Sequence, residues 1–96
     1  GMTITLDGSK YNLVFAHHLK TTEHGAEATQ VRLEKVGTNW MIDAYALKAA
    51  GDQYSKFIGR KVALTRLMKR LPRKARKQIW TQYWTSIGKG HLNVQN

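Results

Sequence analysis

With 96 residues, the chain has material for one small hydrophobic core and is expected to form a single domain over 1–96. A hydrophobic content of 42%, with three Trp, four Tyr, two Phe and one Pro, describes a folding chain and argues against a linker or a disordered tract. There is no cysteine, which excludes disulfides, thiolate metal sites and a cysteine nucleophile and fits a reducing compartment.

The start, Gly1-Met2-Thr3-Ile4, has no basic region and no long apolar stretch, so no signal peptide is expected. Gly1 ahead of Met2 reads as a remnant of tag removal. No run approaches the roughly eighteen apolar residues that span a bilayer. The expected setting is the cytoplasm, without membrane attachment.

The net charge of +10 is unevenly placed. Residues 1–52 carry five basic residues against six acidic ones, a net of −1, and residues 53–96 carry eleven basic residues and no acid. So one-sided a field attracts phosphate-rich or otherwise anionic partners.

In chain order, Thr3 to Leu6 reads as a strand ended by Asp7-Gly8, a dipeptide suited to the positive φ of a tight hairpin turn, and Tyr11 to Ala16 returns as a second strand. Thr21 to Gly25 is a polar loop. Thr29 to Glu34 alternates with period two, which places Val31 and Leu33 on one face and Gln30, Arg32 and Glu34 on the other. Gly37-Thr38-Asn39 is a second turn, and Trp40 to Tyr45 a fourth strand. Together these give a meander over about 3–47 with one wet face.

The period then changes. Ser55 is an N-cap, and Phe57, Leu64, Leu67, Met68 and Leu71 recur at helical spacing, predicting a helix over about 56–70. Pro72 interrupts the backbone ladder and suits the first turn of a new helix over about 73–87. Ala75, Ile79, Trp80, Tyr83, Trp84 and Ile87 form its apolar stripe. Gly88-Lys89-Gly90 is expected to end it, leaving a loose tail over 88–96. The predicted fold is α+β: a four-stranded antiparallel meander followed by two C-terminal helices packed on one face.

Ten Lys or Arg lie between Lys56 and Lys77. Projected at helical spacing, Arg66, Lys69 and Arg70 fall opposite the apolar stripe, and Arg73 and Lys74 extend the positive surface around the bend. Clustered cations release counterions from many phosphates at once, whereas a merely solvated helix face normally mixes both signs. Lys61, Arg66, Lys69, Arg70, Arg73, Lys74 and Lys77 are therefore the candidate nucleic-acid contacts. Arg60 and Arg76 fall inside the stripes and are expected to serve packing. Asp43 and Glu34 are candidate ion-pair partners of both, with a groove between helix and sheet as the alternative place for Arg60 and a cation–π contact with Trp80 preferred for Arg76. Trp80, Tyr83 and Trp84 have core spacing, with a stacking platform for unpaired bases as the alternative. Tyr11, Phe15 and Trp40 are expected to pack beneath the helices.

No catalytic constellation is visible. His17 and His18 are adjacent on a predicted strand and point apart, which gives no metal site. No acid precedes a lysine by two places, no acidic cluster suits paired Mg²⁺, and there is no phosphate-binding glycine loop or Ser/His/Asp pattern. We therefore expect no enzyme, no metal and no cofactor.

The segment from Tyr54 to Leu67, YSKFIGRKVALTRL, resembles a run in small uncharacterised phage and prophage proteins, where a strand-rich part leads into an "SK-x-x-GRK-x-AL-x-R" element and then a proline-initiated helix. The resemblance extends to Pro72-Arg73 and Ile79-Trp80, about a third of the chain. It implies a phage or prophage origin, hence the host cytoplasm, and imports no activity. Gly59 within this run is expected to admit a close backbone approach. The expected function is a non-catalytic DNA- or RNA-binding module. The alternative is a small phage factor that modulates a host protein through an acidic patch.

Overall fold

A computed structural model describes residues 1–21, 26–48 and 55–95, with side chains up to residue 88. Most of the polar loop, Tyr54 at the head of the YSKFIGRKVALTRL run and Asn96 lie outside the described residues. The elements are β1 (Met2–Leu6), β2 (Ser9–Lys20), β3 (Glu27–Lys35), β4 (Met41–Lys48), α1 (Lys56–Met68) and α2 (Arg73–Gln95). The strands form one antiparallel sheet in the order β1-β2-β3-β4. This is the α+β meander with two C-terminal helices that the change of period predicts.

Local chemistry explains each boundary. Asp7 and Gly8 both have positive φ, 50° and 82°, the geometry that twists a two-residue turn in step with its strands. Gly37 supplies the same freedom at the second turn, with φ 78°. Ser55 caps α1 by accepting a hydrogen bond from Ile58 N at 3.2 Å, and the carbonyl of Pro72 accepts the first helical bond of α2 from Arg76 N at 3.0 Å.

Two boundaries differ from the sequence reading. β2 runs on to Lys20 through a bulge between Ala16 and Leu19, with His18 at φ 57°. The extra residue lets a strand bend without ending. α2 runs past Gly88 and Gly90 to Gln95 instead of ending at about 87. A helix-interior glycine costs about 1 kcal/mol relative to alanine, which weakens a helix without stopping it.

Both helices lie on one face of the sheet. Beneath them Ile4, Leu6, Leu13, Val31, Leu33 and Ala46 meet Ala63, Leu64, Leu67, Met68, Ile79 and Tyr83. The strand alternation places Val31 and Leu33 inward as expected. Gly59 lies so close to β3 that a Cβ there would come within 2.5 Å of Thr29 Oγ1. The close approach expected at this glycine is made by the Thr29 side chain.

No described element covers the opposite face of the sheet. That face carries Arg32 paired with Glu34 at 2.8 Å and Gln30 donating to Asp43 Oδ2 and Tyr45 Oη, both at 3.1 Å. Asp43 and Glu34 therefore lie on the far side from the half-buried Arg60, and the pairing expected between them is not made.

Candidate nucleic-acid interface

All seven candidate cations, Lys61, Arg66, Lys69, Arg70, Arg73, Lys74 and Lys77, are exposed on the helical layer. Their contacts divide them. Lys61, Arg66 and Lys69 line a shallow groove along α1 together with Phe57, Ile58 and Thr65. Lys61 also reaches across to α2, its Nζ 6.0 Å from the centre of the Trp84 ring, within cation–π range.

Arg66 and Arg70 also serve the sheet. Arg66 Nη1 donates to the carbonyl of Tyr45 at 2.9 Å, and Arg70 Nη1 to that of Asp43 at 2.8 Å. These carbonyls are two residues apart on the edge strand β4, so both point away from β3. Each guanidinium has five N–H donors, and one hydrogen bond leaves the others available to solvent or phosphate. The other edge of the sheet is treated alike. Gln82 accepts from Thr5 N and donates to Thr5 O, both at 2.8 Å, covering the outward groups of that residue of β1. Nothing in helical spacing could have signalled these backbone contacts.

Lys74 pairs with Asp7 at 3.0 Å, tying the first turn of α2 to the β1–β2 turn. Its hydrogen bond, then its charge, hold the Asp7 carboxyl below its usual range. The side chains of Lys69, Arg73 and Lys77 form no hydrogen bond or ion pair among the described residues. Arg76 is half-buried and donates to the carbonyl of Leu71 at 2.6 Å. It thus closes the bend between the helices instead of making the expected contact with Trp80.

The aromatic stripe of α2 is divided as well. Tyr83 is 3% exposed and belongs to the core, whereas Trp84 and Phe57 are each 40% exposed. Trp80 and Trp84 stack with centroids 5.7 Å apart and planes at 14°. Phe57 leans on Trp84 at 6.3 Å, and Tyr83 meets both tryptophans edge-on. Phe15 contacts Tyr83 at 5.9 Å and stacks on His17 at 6.4 Å. Tyr11 is half-buried, but Trp40 is exposed beyond the second turn, with Tyr11 against it edge-on at 5.7 Å.

Burial, followed by the charges of Arg60, Lys56 and the adjacent His18, holds the His17 imidazole below its usual pKa. His18 lies 3.7 Å from Glu27. Among the described residues no three His, Asp or Glu side chains gather as metal ligands would, and no helix is long and apolar enough to cross a membrane.

The fold and this surface define a small α+β protein with a cationic helical layer on a meander sheet. Compared with protein families, curated proteins and solved structures, the chain matches none.

Proposed function

We propose that this protein is a non-catalytic nucleic-acid-binding module whose cationic helical layer contacts phosphates. The observation that carries the reading is a set of exposed cations with almost no carboxylates to neutralise them. Among the seven candidates only Lys74 has a carboxylate partner among the described residues, and no acid follows Asp52 in the chain. A helix face kept only for solubility would intersperse both signs. Phosphates bound here would displace counterions, so affinity would fall steeply with salt. A phage or prophage origin in a host cytoplasm is compatible with such a role and rests on the segment resemblance alone.

Lys69, Arg73 and Lys77 test the reading, because none of them supports the sheet or the bend. Their combined substitution by alanine is expected to weaken binding to DNA or RNA and to flatten the log–log salt dependence by about 0.9 for each duplex phosphate that is no longer neutralised. Fluorescence anisotropy from 50 to 200 mM salt measures both, with circular dichroism as the control for fold. Unchanged affinity and slope in the triple variant, or no binding to either polymer at low salt, would refute the assignment. A stoichiometric protein partner recovered from nuclease-treated host lysate, with no nucleic-acid binding, would favour the modulator of a host protein.

A further inference from the structure

We infer that the polyanion is single-stranded, with an unpaired base stacking on the exposed Trp84–Phe57 surface while its backbone follows the basic groove of α1. This inference rests on the nucleic-acid reading above and goes further, by choosing the class of polymer.

Two rings at the junction of the helices, Phe57 and Trp84, leave 40% of their surface to solvent, although their spacing would suit a core. Trp84 is held by Trp80, Tyr83 and Phe57, with centroids 5.4 to 6.3 Å away. It is thus fixed before any ligand arrives, and a base that stacks on it orders little else. Part-exposed rings reward only bases that are themselves open, and in a duplex those faces are already stacked on their neighbours. Platforms that combine such rings with a cationic track are the recurrent solution for single strands, each stacked base being worth about 1–3 kcal/mol.

The cationic track adjoins the rings. Lys61 lies against the Trp84 ring and shares its groove with Phe57, Arg66 and Lys69. From Lys61 to Lys69 the helical rise is about 12 Å, enough to meet several successive phosphates. An apolar protein segment would meet Lys61, Arg66 and Lys69 beside these rings, with no carboxylate lining that groove among the described residues, which disfavours it relative to a nucleotide chain.

The test uses the intact protein with a labelled oligothymidine and a mixed-sequence duplex of equal length, and compares Trp84→Leu, Trp84→Phe and the Lys69/Arg73/Lys77 triple alanine variant. Leucine keeps the apolar bulk without the π-face, and phenylalanine keeps both. The single strand is expected to bind more tightly than the duplex and to quench tryptophan fluorescence. Trp84→Leu should weaken single-strand binding about tenfold with an unchanged salt slope, and Trp84→Phe should retain most of it. The triple variant should lose slope. Equal affinity for duplex and single strand, or a Trp84→Leu variant that binds like the parent, overturns the stacking inference while salt-dependent binding still stands. Absence of salt-dependent binding to either polymer overturns the underlying reading as well. Thermal unfolding of each variant shows that the protein compared is folded.

Discussion

At Gly59 one hydrogen atom sets the distance between α1 and the sheet, because any Cβ would press on Thr29 Oγ1. Thr29 is itself buried, so it cannot swing out to make room. Gly59→Ala is expected to lower the unfolding free energy by about 1–3 kcal/mol, as overpacking does, despite alanine's better helix propensity. Thr29→Ala in the same protein should return part of that loss, and a double-mutant cycle by urea denaturation measures the coupling. Strictly additive losses would show that the two residues do not compete for one space.

His17 carries the pH dependence at the same end of the molecule. Its folded pKa lies below the ordinary 6.5, so near neutral pH the unfolded chain binds its proton more readily than the folded one. The stability this group contributes is complete above about pH 6.5 and falls as the pH drops toward the folded value. Asp7 and Glu27, held below the usual carboxylate range by their lysine partners Lys74 and Lys20, add losses only at more acidic pH. The melting temperature should therefore decline between pH 7 and pH 5, and His17→Phe should flatten that interval. A parent protein with a flat profile there would contradict the assignment.

At the scale of elements, most of the fold was legible because short-range chemistry decides it. Asp7-Gly8, Ser55 and Pro72 each fix a boundary by a local backbone requirement, and Ser55→Ala should cost about 1 kcal/mol in denaturant unfolding. What could not be read depends on distance through space. The β2 bulge, the placement of Arg76 on Leu71 and the division of the aromatic stripe all follow from how the helices settle on the sheet. Helical projection gave the exposed side of α1 correctly. It could not show that Arg66 and Arg70 would reach over the edge of β4.

That reach makes a further prediction. Long unpaired strand edges invite pairing with other chains, and these guanidinium groups occupy two carbonyls on the outer edge of β4, those of Asp43 and Tyr45. Replacing both by alanine exposes those carbonyls to water, so stability should change little, by about 1 kcal/mol or less, but concentration-dependent self-association should appear in sedimentation velocity. A double variant that stays monomeric over the concentrations at which the parent is monomeric would discount the protective role. For the same reason, weakened nucleic-acid binding in that variant would have two explanations, and Lys69, Arg73 and Lys77 report on phosphate binding more cleanly.

Across the whole molecule, charge and architecture are divided along the chain in the same way. The strand-forming half is nearly neutral, and the helical half holds the entire excess of positive charge. The candidate surface was legible as far as its exposed cations, since a run without acids needs no structure to be seen. Its sharper centre was not, because the openness of Phe57 and Trp84 depends on how far apart the two helices lie.

The clamp of Gln82 on Thr5 joins residues 77 positions apart, and the cover on β4 also comes from later in the chain. During synthesis the meander can pair hairpin by hairpin as it emerges, yet both its margins and its inner face stay bare until the helices follow. For that interval the nascent sheet is most exposed to its neighbours. The helical half then acts as the sheet's own chaperone, arriving last to cover the inner face and reach both margins.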